Sequence, residues 1–557
     1  MPYRLATAQY LYNVDIIACF FLEVKCHHFR FLTSNLTLAY SGLDDSMPTA
    51  VVSVKAGEIM KKKVFIILSV VAILTGITII ISKAALQPKA EEPIFMEECH
   101  EYLTFLEEAE EPTEYNGHVP TRHRIYPVNE ALLGTSEIPE HLDIRETYYA
   151  TPVKSQGANG TCWAFASIGV LETYLKKNGI DLQLSEEHMR FKTSNDPNQK
   201  ALEFGYYNRE PDNGGNYNMA LSYLTNFVGA VKQQYVPYNP YRGGKWPESM
   251  KTASPVVWVT DSEYVHCDRV SIKNALLKYG ALYAPIWCGD GTTPIGSSKH
   301  FNNETFAMYY NGDKITNHAI CLVGWDDNFS ALNFKQKPPA DGAWLAKNSW
   351  GSAWGDKGYF WISYYDNALS IPANPVDTTD PTVIMTILGA EIADTEHLKL
   401  YSNNHYADTF IGYGQENKEA FFASVYEFEE PAQIERVMTR VYMSSAKYKI
   451  FIQPMTAGTI PRNLGPVLAS GYITHSGHST ITLDTPYTVE EGKKYIIIIR
   501  FSESKDPYHI GGEKNSYIAS EIPTPAEISY SSLDGRNWVD LGATKSVNIC
   551  IRAIVRY

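Results

Sequence analysis

A proline-, aspartate- and threonine-rich run at 371–381, Ile-Pro-Ala-Asn-Pro-Val-Asp-Thr-Thr-Asp-Pro, divides the 557-residue chain into two stretches of different character. It reads as a linker. Beyond it the apolar runs are short and strand-like, at 423–428, 448–453 and 495–501, separated by Gly, Pro and Ser turns with no helix of convincing period between them. Such a pattern builds an all-β sandwich. With 44% apolar residues the chain has material for more than one full core.

Before the linker, the run Pro152-Val153-Lys154-Ser155-Gln156-Gly157-Ala158-Asn159-Gly160-Thr161-Cys162-Trp163-Ala164-Phe165-Ala166 stands at the mouth of an apolar helix. Phe165, Ile168, Leu171 and Leu175 recur near helical spacing, and Lys176, Lys177, Asn178 and Gly179 supply a basic end and a left-handed stop. Cys162 therefore falls in the first turn. There the unpaired N–H groups and the helix dipole favour an anion, which predicts a lowered thiol pKa. A cysteine beside Trp and Phe is more often simply buried, so the functional reading needs a base from elsewhere in the chain.

Asn317-His318-Ala319-Ile320-Cys321-Leu322-Val323-Gly324-Trp325 offers a histidine at the start of an apolar strand. Downstream stand Lys347-Asn348-Ser349-Trp350-Gly351-Ser352-Ala353-Trp354-Gly355. In type and order these segments resemble the nucleophile, histidine and asparagine motifs of the papain-like cysteine peptidases. The resemblance implies an α+β two-lobed fold over 138–371, with a helical left lobe and a β-barrel-like right lobe. It makes Cys162 the nucleophile, His318 the base, Asn348 the residue that orients the ring, and Gln156 an oxyanion donor. It also places Gly160, Trp163, Gly214, Gly215, Asn317, Ala319 and Trp350 along the substrate groove, where the glycines let substrate backbone approach. Trp350 and Trp354 would shield the His–Asn hydrogen bond from water.

Two features depart from the family. Asn159 and Asp212 stand where members usually carry two bridged cysteines, a loss of about 2 to 4 kcal/mol if nothing replaces it. The stretch 326–342, with Lys335-Gln336-Lys337-Pro338-Pro339, is longer than the family habit and reads as a surface insertion. The stretch 528–541, with Asp534-Gly535-Arg536-Asn537-Trp538, resembles the lectin-like (jelly-roll) domain appended to bacterial exported members, expected over 385–557. Whether such a domain binds glycan or merely docks is left open by the sequence, because Trp538 suits either a sugar platform or a core.

Lys61-Lys62-Lys63, the apolar run 64–81 and Ser82-Lys83-Ala84-Ala85 have the order of a secretory signal, with a membrane anchor as the competing reading. Met60 is then the expected start, and residues 1–59 an upstream extension. Residues 86–137, rich in Glu pairs, are expected to be an acidic linker or a propeptide lying along the cleft. A net charge of −14 disfavours nucleic acid as a partner. The eight cysteines lack Cys-x-x-Cys spacing, so no metal or cofactor is expected; Cys267 and Cys288 are a candidate bridge. The expectation is a secreted or surface-anchored endopeptidase acting on proteins or peptides, the alternative a catalytically silent adhesin.

Overall fold

The computed structural model describes residues 91–108, 117–123, 138–195, 207–242, 245–289, 298–369, 371, 384–406, 408–443, 445–455, 460, 463–517 and 519–557. The expected signal and anchor at 60–85, the upstream extension and all of the expected linker 372–384 but Ile384 lie outside them. Among the described residues no helix is long and apolar enough to cross a membrane.

The cysteine helix runs Cys162–Lys177 and is buried on nearly every side. It stops where Asn178 caps it and Gly179 turns at φ +85°. Its partner is the strand His318–Asp326, whose residues are buried from His318 through Trp325. Gly169 makes the seam close: a Cβ there would lie 2.9 Å from the Cys321 sulfur. Cys321 in turn donates its thiol to the Ala166 carbonyl at 3.2 Å. A small residue in mid-helix thus brings the first turn of the helix to the first residue of the strand.

That strand is central in a sheet ordered Val257–Val265, Ile384–Ile392, Leu282–Ile286, His318–Asp326, Ala343–Lys347, Tyr359–Ser363, Ala307–Met308, Phe301–Asn302, with His141–Asp143 added on the His318 strand. Helices Glu186–Lys192 and Tyr217–Thr225 pack against the cysteine helix. One difference from the sequence reading concerns the linker. Ile384–Ile392, which follows it, pairs antiparallel with Val257–Val265 in this first sheet, so the chain returns before entering the sandwich. Its alternating apolar residues say strand, and nothing in them says which sheet.

The sandwich has two layers. One sheet contains Thr409–Tyr413, Tyr508–Glu513, Ala432–Tyr442, Ile551–Arg556 and Leu398–Tyr401, with Gly477–Val489 beside Ala432–Tyr442. The other contains Ala469–Tyr472, Lys447–Pro454, Lys494–Ser502, Glu419–Glu427, Ser529–Ser532 and Val539–Asp540. Ile497 and Ile499 face the core between the layers, whereas Ile496 and Ile498 face an outer cluster with Phe421, Phe451 and Tyr530. Burial on both faces explains the unbroken Ile496-Ile497-Ile498-Ile499 run. Trp538 packs against that outer cluster, partly buried, its ring edge-on to Phe421 at 6.4 Å. The two parts are joined by buried cations: Arg440 donates to Asn218 at 2.9 Å and Arg552 to Thr225 Oγ1 at 2.9 Å.

Cys288 is a free thiol, so the candidate bridge to Cys267 is not formed. One further expectation is corrected. The 326–342 loop is not wholly a surface insertion. Phe329 stacks on Trp361 at 4.7 Å and meets Phe334, which is buried, so only part of the loop faces solvent.

Candidate active site

Four short segments converge on Cys162. The loop before the helix is fixed from below by Lys154, whose ammonium meets Glu172 at 2.6 Å, Glu186 at 2.8 Å and the Leu184 carbonyl at 3.0 Å. It is fixed from the side by the asparagine loop. Gln156 N–H donates to the Ser349 carbonyl at 2.8 Å, and Gly351 N–H to the Lys154 carbonyl at 3.0 Å. The Ser349 hydroxyl donates to Gln156 Oε1 at 2.6 Å, which fixes which way the amide points. Gln156 Nε2 gives one proton to the Asn159 carbonyl at 2.7 Å and keeps a second.

His318 Nε2 and Asn348 Oδ1 are 2.8 Å apart. Asn348 Oδ1 also accepts the Ser349 N–H at 2.8 Å, so the amide cannot present its nitrogen to the ring without losing that bond. Nε2 is therefore the protonated nitrogen in the neutral ring, and Nδ1 is the basic one. Trp350 lies over the imidazole at 4.9 Å and is itself braced edge-on by Trp354 at 4.9 Å. Trp350 packs against the ring, and Trp354 reaches it only through Trp350.

The missing disulfide has a substitute. Asn159 Nδ2 donates to Asp212 Oδ1 at 3.2 Å, and Gly160 N–H to the Asp212 carbonyl at 2.8 Å. Arg190, fully buried, pairs with the same carboxylate. Tyr238, which sequence reasoning missed, donates to the Gln156 carbonyl at 2.9 Å and meets Thr161 Oγ1 at 2.8 Å. A charge-assisted network holds the two positions that a sulfur bridge would otherwise join.

The groove residues are brought together as well. Gly215 sits on the Trp163 ring so closely that a Cβ would fall 2.7 Å from it, and the Gly214 carbonyl accepts from Arg209 at 2.9 Å. Across the cleft, Asn317 Oδ1 accepts the Cys288 N–H at 2.9 Å, which orients its own carbonyl. The Ala319 N–H approaches the Cys162 sulfur.

What fills the groove is the acidic segment itself. Strand Ile94–Phe95 pairs with Thr409–Tyr413 at the edge of the sandwich, and helix His100–Glu108 buries Tyr102 and Phe105. The segment then crosses the cleft. His118 N–H donates to the Asn317 carbonyl at 3.0 Å, Val119 N–H to the Gly215 carbonyl at 2.9 Å, and Gly215 N–H to the Gly117 carbonyl at 3.1 Å. His118 and Gly215 form a parallel bridge. Over 91–108 and 117–123 the segment is thus packed on the protein rather than solvated as a linker would be, with residues 117–119 bonded across the cleft.

Burial corrects the expected thiol. Burial pushes Cys162 up to about 12, against the pull of the Ala319, Trp163 and Cys162 N–H groups. Burial likewise pulls His318 down to about 4, with Asn348 acting in the opposite direction. The helix terminus favours the thiolate, but in a cleft closed to water desolvation is the larger effect. Both groups are thus held neutral.

Residues 138–378 match the family described as papain family cysteine protease, and residues 401–555 match the lectin like domain family. Cysteine proteinase 15A of Pisum sativum is 31% identical over 236 residues, covering 42% of this chain and 59% of that protein. The chain spans about three-fifths of the length of such plant relatives. Among solved structures, the cysteine protease and lectin-like domains of Cwp84, a surface layer associated protein of Clostridium difficile, align with a TM-score of 0.71 at 25% identity. That alignment covers 84% of this chain and 99% of the other. A second structure, of a cysteine-to-alanine variant of Cwp84 after propeptide cleavage, aligns with a TM-score of 0.65 at 26% identity over 75% of this chain and 99% of its own.

Proposed function

Because residues 138–378 belong to the papain family of cysteine proteases and 401–555 form a lectin-like domain, we propose that this chain is an exported cysteine endopeptidase kept silent by its own residues 117–119. The observation that carries the reading is the bond between His318 Nε2 and Asn348 at the N-terminus of the Cys162 helix, under a strand of the same chain.

Once the cleft is open, His318 Nδ1 takes the Cys162 proton. The sulfur attacks the peptide carbonyl carbon, and the oxygen gains negative charge. The second Gln156 amide N–H and the Cys162 backbone N–H are the donors assigned to that charge. Collapse breaks the C–N bond, with His318 delivering its proton to the leaving amine and a thioester remaining on Cys162. Water, losing a proton to His318, attacks the thioester; the acid leaves and the thiol is restored. Export is supported by the order of residues 60–85 and by the surface layer association stated for Cwp84.

The test is labelling of processed protein with an epoxide thiol inhibitor and mapping of the adduct. Modification of Cys162 in a protein that cleaves peptides supports the reading. An inert Cys162 in fully processed protein supports the adhesin instead.

The oxyanion role makes a separate prediction. Gln156→Ala is expected to lower kcat by about 10²- to 10³-fold with KM little changed, since its amide acts on charge that exists only in the transition state. Steady-state kinetics check it: a raised KM at unchanged kcat would make Gln156 a substrate-binding residue.

A further inference from the structure

The strand in the cleft also reports what the cleft accepts. His118 is the residue opposite Gly215, and its ring is buried, with only 2% of the residue exposed. Nδ1 lies 2.8 Å from the Tyr283 hydroxyl. Tyr283 comes from the strand Leu282–Ile286, which pairs with the His318 strand, and its ring packs on Tyr217 at 5.1 Å. Tyr217 is anchored in turn, donating to the Thr386 carbonyl at 3.2 Å. The pocket beside Gly215 therefore has aromatic walls that are fixed, and one hydroxyl within them.

That hydroxyl has no other hydrogen-bond partner among the described residues. When segment 117–119 leaves the cleft, a phenol O–H remains inside an apolar pocket with nothing in the protein to satisfy it. A substrate side chain that brings a nitrogen or oxygen to the same point restores the bond; an aliphatic one leaves the phenol desolvated and unpaired.

Building on the peptidase reading, we propose that Tyr283 is a specificity-determining residue. It selects substrates carrying histidine, or another short planar side chain that hydrogen-bonds, at the residue paired with Gly215. His118 is then the chain's own copy of that residue. A neutral ring suffices for the contact, because imidazole and phenol each offer both a donor and an acceptor. Burial, and then nearby His318, hold the His118 ring neutral, down to about 3.

The experiment scans a fluorogenic peptide library with the processed protein, exchanging His, Leu and Phe at each position. One position is expected to favour His over Leu about tenfold in kcat/KM, and Tyr283→Phe to bring that ratio close to one. In parallel, a peptide of residues 117–123 is measured as an inhibitor of the unaltered enzyme. Its His118→Leu form is expected to bind about tenfold more weakly, a readout that needs no folded variant. Cleavage without any His-selective position, equal inhibition by the two peptides, or an unchanged ratio in Tyr283→Phe overturns the assignment. A processed protein that cleaves no peptide overturns the peptidase reading together with it, and is told apart by the absence of any turnover.

Discussion

His318→Ala in the processed protein is expected to lower kcat by about 10⁴-fold, with KM little altered. In the proposed mechanism His318 removes the thiol proton, returns it to the leaving amine and activates the water, so both halves of the reaction would lose their proton carrier. The variant should also change the shape of the pH profile. Without an imidazole the thiol must ionise alone. In an opened cleft it relaxes from about 12 toward its ordinary 9.0, so at pH 7 only about one molecule in a hundred carries the anion. Residual activity is then expected to rise close to tenfold per pH unit between about 7 and 8.5, where the intact enzyme stays level. Stopped-time assays across that range check it. A residual rate that does not climb with pH would mean that His318 is not the group that ionises the thiol.

The residues of this site are legible in the sequence where the chemistry is local. Cys162 is marked by a helix start, His318 by a strand start, and Asn348 by the aromatic and glycine residues around it, because each signal lies within about ten residues. The bond from Asn159 to Asp212 is half legible: both positions stand out as missing cysteines, but that they still meet is a fact of tertiary packing. Tyr238 and Tyr283 carry no signal, since a tyrosine becomes part of a site only through what the fold places opposite it. The same limit applies to Ile384–Ile392, whose pattern specifies a strand but not its neighbour. The thiol pKa escapes the sequence for a different reason. A helix terminus lowers a cysteine pKa only as far as water reaches it, and the covering strand is not visible in the composition of an acidic segment.

In the proposed reading latency rests on how closely residues 117–119 fit the cleft, and Gly117 leaves no room there for a side chain. Its φ is +134°, and a Cβ would fall 2.3 Å from the Asn317 carbonyl oxygen, a backbone atom with little freedom to retreat. Gly117→Val is therefore expected to unseat residues 117–119, giving up the three backbone bonds to Asn317 and Gly215. Strand Ile94–Phe95 and the His123 contacts with the Glu97 carbonyl and Thr409, at 2.8 and 3.0 Å, hold the rest of the segment in place. The opening is thus confined to the cleft. Water then reaches Cys162, and a thiol falling from about 12 toward 9.0 gains about 10³-fold in anion at pH 7. The anion of the more acidic thiol is a weaker nucleophile by roughly 20-fold, leaving a net gain of roughly 50-fold before any steric relief. The measurement is the rate of iodoacetamide modification of Cys162 in the uncleaved chain, with His318→Ala in the same background to separate access from ion-pair formation. An uncleaved Gly117→Val chain that alkylates no faster than the parent would place the source of latency elsewhere than in this strand.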